Sequence, residues 1–241
     1  MTSRYLKIGQ ALIAGAGLAA AGYAGLVAWN RFRYGKVCRR GETGGLLDRF
    51  IPSPEILEHH HTDIAAPADV VMEAARSLTL LQSPVIRGIF KMRELALLGA
   101  EALAKSAGGE ADTRVHPGGL VEQARSIGWV VLAERLDREI VLGAVTVPWV
   151  ANPVFRSIPA GEFEAFREPG YVKIVWALRA DPLDSGHTVF HTETRVSTTD
   201  AQAQRRFRRY WSFVAPGVEL IRVAMLKAIR KDAERRAMVA A

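Results

Sequence analysis

The chain has one cysteine in 241 residues, which excludes an internal disulfide framework and a cysteine-rich zinc module. Its 21 glycines and 11 prolines are too few for a fibrous or low-complexity protein. No G-x-x-x-x-G-K-[ST] occurs, nor a G-x-G-x-x-G after a strand, so the phosphate-cradling loops of nucleotide enzymes are missing. Ser126 and Ser197 lack the context of a nucleophile elbow. Acidic residues are absent from one stretch altogether: residues 1–40 hold seven Lys/Arg and no Asp or Glu. Residues 200–241 hold ten basic and four acidic residues, whereas 41–199 hold 15 basic and 21 acidic. The net charge of +7 is therefore gathered at the two ends. A protein that binds nucleic acid through its body would spread that charge over it, and no nucleic-acid partner is expected.

What is present begins with an apolar run. Ile8 to Trp29 is 22 residues without a charge. As a helix it would measure about 33 Å, enough to cross a bilayer core. Arg4 and Lys7 precede it, and Arg31, Arg33, Lys36, Arg39 and Arg40 follow. The heavier basic flank on the far side predicts a single-pass span at the cell membrane with the body in the cytoplasm. The rival is a secretory signal cleaved near Gly22 after Ala19-Ala20-Ala21, with export of the rest. The run is long for a signal, and the basic cluster after it resists export, so residues 1–40 are read as an anchor. Cys38 is read as a free thiol. Residues 41–54, with Gly41, Gly44, Gly45, Pro52 and Pro54, are read as a linker, and 55–237 as the domain.

Within the domain the hydrophobic period changes twice. Ile56 to Ile64 reads as a strand, and Pro67 opens a helix through Leu78 with Val70, Val71, Ala74, Ala75 and Leu78 on one face. A second helix is predicted from Ser83-Pro84 towards Leu98, and 105–119 reads as a loop. Gly128–Glu134 and Glu139–Val147 flank Arg135-Leu136-Asp137-Arg138 as a hairpin. Glu162–Arg167 is read as a short strand. Tyr171–Ala180 alternates cleanly and predicts a sheet covered on one side, and after Asp184-Ser185-Gly186 the chain returns over His187–Ser197. Asp200 then caps a final helix whose apolar stripe runs through Phe207, Tyr210/Trp211, Val214, Val218, Ile221, Met225 and Ile229, with a kink or break expected at Pro216.

This order, with Ile64-Ala65-Ala66-Pro67-Ala68-Asp69-Val70-Val71, the stretch Phe163–Tyr171, Thr192-Glu193-Thr194-Arg195-Val196 and Phe207-Arg208-Arg209-Tyr210-Trp211, resembles the START-like (SRPBCC) superfamily in its polyketide cyclase/dehydrase branch. The resemblance covers roughly residues 56–235 and implies an α+β helix-grip domain. In that fold a curved antiparallel sheet wraps a long C-terminal helix, with room for an apolar ligand between them. It implies binding of a lipid or other hydrophobic small molecule, or cyclase/aromatase-like chemistry on such a molecule. Neither it nor the residues call for a cofactor.

From the alternation, the chamber wall is Val172, Ile174, Trp176, Leu178, Phe190, Thr192 and Thr194, and the helix adds Phe207, Trp211, Val214, Ile221 and Met225. The two threonines would orient a ligand through their hydroxyls. Periodic apolar residues also make an ordinary packed core, which is the alternative at each of these positions. His59 and His61 share a strand face, as two ligands of one ion would. No third ligand can be placed along the chain, so they are read as a solvated face and no metal is assigned. His191, Glu193 and Arg195 are read as a charged outer ladder. No catalytic residue can be named. Arg205, Arg206, Arg208 and Arg209 form a solvated basic face or meet anionic headgroups.

Overall fold

The computed structural model describes residues 21–25, 28–29, 46–79, 118–150 and 153–240. In chain order these form α1 (Leu47–Phe50), β1 (Ile56–Ile64), α2 (Ala68–Ser77), α3 (Leu120–Ser126), β2 (Val130–Arg135), β3 (Glu139–Thr146), β4 (Phe155–Arg156), α4 (Ala160–Phe163), β5 (Val172–Pro182), β6 (Thr188–Thr198) and α5 (Ala201–Ala240). The helix predicted over 83–98 lies outside the described residues, as does nearly all of the loop read over 105–119.

The strands make one curved antiparallel sheet in the order β1-β6-β5-β3-β2, with β4 paired to the end of β3. Two tight connections set its registers. Asp137 adopts φ 59 between β2 and β3, a conformation that Asp tolerates better than most residues. Between β5 and β6, Asp184 Oδ1 accepts from the Gly186 N–H at 2.7 Å, as in an Asx turn. Strand β1 comes from far up the chain to pair with β6 along its whole length, Ile56 opposite Val196 and Ile64 opposite Thr188.

Pro67 stands at the N-cap of α2 and Asp200 caps α5, its Oδ1 accepting from the N–H groups of Gln202 (2.7 Å) and Ala203 (2.8 Å). Helix α5 is one continuous helix of 40 residues, about 60 Å, with Pro216 inside it, so the break offered as one outcome there does not occur. Packing holds it on both sides of the proline. Its first half places Phe207, Trp211 and Ala215 on Ile56, Val172 and Val196. Its second half places Met225, Leu226, Ile229 and Ala233 on α2 and the inner sheet face. A fully buried side chain of this size contributes about 1.5–3 kcal/mol before entropy is counted. Arg236 ties the far end down, donating to Glu73 at 2.9 Å and to Ser77 Oγ at 2.7 Å.

Three expectations need correction. The sheet is covered on both faces, not one. The stretch assigned as linker is a cover over its second half: Leu47, Phe50 and Ile51 are buried on the outer face with Val141, Val145, Val175 and Ala177. Glycines and prolines mark the ends of that stretch, but its middle, Leu46-Leu47-Asp48-Arg49-Phe50-Ile51, is apolar enough to dock. Glu162–Arg167 is no strand either. Pro159 starts a helical turn, its carbonyl accepting from Glu162 and Phe163 at 2.9 Å each, which drops Phe163 against Phe50.

The described residues of Ile8–Trp29 (21–25 and 28–29) are helical, and no helix among the described residues is long and apolar enough to cross a membrane. The rest of that run lies outside them. Tyr23 reaches the domain: its ring meets Phe213 edge-on at 5.2 Å and its hydroxyl donates to the Phe213 carbonyl.

Candidate functional site

Even-numbered residues of β1, β5 and β6 face inward, towards the helices. On β1 these are Ile56, Glu58, His60, Thr62 and Ile64, opposite Val196, Thr194, Thr192, Phe190 and Thr188. All twelve residues of the expected wall are among the described ones, but they do not form one surface. Val172, Ile174, Phe207, Trp211 and Val214 belong to one apolar cluster; Trp176, Leu178, Phe190 and Met225 belong to another. Ile221 is half-buried and joins neither.

Polar side chains stand among these clusters. Trp176 Nε1 donates to Thr192 Oγ1 at 2.8 Å. Thr194 Oγ1 accepts from Arg222 Nη2 at 2.9 Å, and the Arg222 guanidinium lies over the Trp176 ring, 4.3 Å from its centroid. The two threonines thus face inward and carry hydrogen bonds. Arg222 takes the inward helix position that the stripe had given to Ile221. Burial pulls Arg222 down to about 10 against the attraction of Glu58, so the guanidinium stays charged at neutral pH. Glu58 is itself 6% exposed.

Sequence reasoning missed Glu58 and Arg222, although each leaves a trace. Glu58 shares the strand parity of Ile56 and Ile64, where a carboxylate is out of place. Arg222 falls four residues after Val218 and three before Met225, inside a run of apolar helix positions. A charge that interrupts a buried period needs a partner or a task.

The outer face carries a second polar group. His191, Glu193 and Arg195 do point outward, but α1 and Ile51 bury two of the three. Arg195 is 1% exposed; it donates to Glu193 at 2.6 Å, to Asp48 at 2.5 Å and to the Ile51 carbonyl at 3.0 Å. His191 lies at the uncovered end beside His59, whose Nε2 is 3.1 Å from His191 Nδ1. Burial, aided by the Arg179 charge and opposed by Asp181, pulls His191 down to about 4.

Lys173, on the same face, gives a pH test of this burial. Its Nζ sits 5.0 Å from the centre of the Phe163 ring and donates to the Glu164 carbonyl at 3.2 Å. Burial and then Arg167 pull it down to about 8 from 10.5. The unfolded chain therefore binds more protons between those values, and stability should rise with pH across that window. Below about pH 8 the penalty is present in full. Lys173→Met should therefore unfold at a higher temperature than the wild type at pH 7, with the gap narrowing towards pH 10. A gap that does not change with pH would show that Lys173 does not feel the burial.

No family model matches the chain. No curated protein matches it at a significant level. Among solved structures, the Zhui aromatase/cyclase from Streptomyces sp. R1128 is similar at 17% identity, with a TM-score of 0.31 over 75% of this chain and 94% of the other. At that identity and score the likeness decides neither fold nor activity. The α+β architecture rests on this chain's own strand order and its long terminal helix.

Proposed function

We propose that this is a START-like, helix-grip protein that binds an apolar small molecule or lipid between its sheet and α5, held near a bilayer by Ile8–Trp29. The observation that carries the reading is the charged guanidinium of Arg222 on the inner, mostly apolar side of the sheet, stacked on Trp176 and hydrogen-bonded to Thr194, with Glu58 the other charged group there. Small-molecule sites are mostly apolar with a few placed polar groups, and this interior has that composition. Arg222 would receive an oxygen of the ligand while the two apolar clusters take its body. Ligand affinity would then follow buried apolar area less the ordering cost.

The test uses full-length protein in mild detergent and two fluorescent polyene probes, a fatty acid and its methyl ester. The wild type should bind both, the acid more tightly. Arg222→Met should weaken the acid by about tenfold, the worth of one charge-assisted hydrogen bond, and leave the ester nearly unchanged. Failure to bind either probe, together with no co-purifying ligand in native mass spectrometry of protein from its own host, would refute the reading.

A cyclase-like reading is favoured by one observation: Glu58, a titratable group on the inner face, feels the Arg222 charge. His191 and Glu193 point outward and offer such a reaction nothing. Turnover of an added aromatic precursor, lost in Glu58→Gln, would move the assignment to an enzyme.

A further inference from the structure

The run His59-His60-His61 has no part in the reading above. His59 and His61 stand two residues apart on β1, so both leave the sheet on its outer face, away from Arg222. Strand pairing then supplies what the linear chain cannot. His191, more than a hundred residues later, lies directly opposite His61, and Glu193 lies opposite His59. The ring centres of His59 and His191 are 5.3 Å apart, and His61 is 5.8 Å from each.

Two details of this cluster point to a ligand. First, His59 Nε2 and His191 Nδ1 share a hydrogen bond of 3.1 Å, whose proton an ion between the two rings would replace. Two imidazole nitrogens on one tetrahedral zinc, each about 2.0–2.1 Å from the ion, stand about 3.3 Å apart. Second, the other nitrogen of His191, Nε2, lies 3.3 Å from Asp181 Oδ2. A proton on Nε2, donated to Asp181, leaves the Nδ1 lone pair facing His59. Metal-binding histidines are oriented by carboxylates in this way. The cation nearest the cluster, Arg179 opposite His191, is 3.0 Å from the same Asp181 oxygen. Glu193, beside His59, adds negative charge.

The rings are stacked rather than converged, and among the described residues no three His, Cys, Asp or Glu side chains are closed around an ion position. The backbone already sets all three on neighbouring positions of one face. Closure needs a tilt of the His59 and His191 rings and a rotation of His61, which is exposed and meets only the two other imidazoles in the ring contacts above.

We propose that His59, His61 and His191 form a divalent-metal site on the outer face of the sheet, occupied by zinc, with Asp181 orienting His191 and the fourth position left to water. Three imidazoles select borderline ions such as zinc over magnesium or calcium, which require oxygen ligands. The site is on the opposite face from the apolar interior and does not depend on it.

Full-length protein in detergent, stripped with a chelator, would be titrated with zinc chloride, and with cobalt chloride as the spectroscopic reporter. One ion per chain is expected, with the intense visible bands of four-coordinate cobalt. His59→Ala, His61→Ala and His191→Ala should each weaken zinc by more than about tenfold, and Asp181→Asn by about tenfold. His60→Ala, on the inner face, and His187→Ala, before β6, should leave it unchanged. If an alanine variant loses its circular-dichroism spectrum, the wild-type cobalt spectrum and Asp181→Asn still decide. Absence of saturable binding, a weak six-coordinate cobalt spectrum, or equal weakening in His60→Ala and His187→Ala would each overturn the site.

Discussion

Arg195→Ala is expected to destabilise the domain by about 3–5 kcal/mol, the cost of breaking a buried ion pair by removing one partner. In a domain of this size that lowers the melting temperature by roughly 10 °C. The guanidinium is 1% exposed and joins three elements: Glu193 on its own strand, Asp48 in α1, and the Ile51 carbonyl after it. Its removal leaves the Glu193 carboxylate, 5% exposed, without this cation in a setting that disfavours charge. Arg195→Met with Glu193→Leu should recover much of the loss, because both charges then leave together. Urea titration of the three proteins measures this. A single variant as stable as the wild type would mean that α1 does not seal this face.

Gly119→Ala should be nearly as damaging, by about 3 kcal/mol. A Cβ at position 119 would stand 1.9 Å from the Arg76 carbonyl oxygen and 2.9 Å from the Ser77 Cα. Those are backbone atoms at the end of α2, so no side-chain rotation relieves the overlap. Gly119 is also the N-cap of α3, whose Leu120, Val121 and Ala124 join the core around Val71, Met72 and Ala75. Either α3 moves off α2 or α2 loses its last turn. Comparing the guanidinium unfolding midpoints of the variant and the wild type checks this. An unchanged midpoint would mean that the α2–α3 contact is looser than the backbone distance requires.

The inner face was partly legible from alternation alone. Val172, Trp176, Leu178, Phe190, Thr192 and Thr194 could be assigned to one side of the sheet because successive strand residues point to opposite faces. Their division into two clusters with a guanidinium among them could not, because it depends on which turn of α5 lies over which strand. One residue of helical phase separates Ile221 from Arg222, and a stripe that drifts over 40 residues does not define its inward position that closely. The outer face shows the same limit. Arg195 reads as a solvated charge in a ladder until Leu47, Phe50 and Ile51, about 145 residues earlier, are seen to cover it.

Local pattern by itself determined the α+β composition, the start of α2 at Pro67 and the capped start of α5 at Asp200, the hairpin around Asp137 and the pairing of β5 with β6. Each of these depends on residues close together in the chain. Tertiary structure alone decided which distant groups meet: β1 against β6, α1 over the outer face, Arg222 on Trp176, and His191 beside His59 and His61. Such contacts follow from strand register and helix placement, which buried surface summed over the whole domain selects and no short window of sequence encodes.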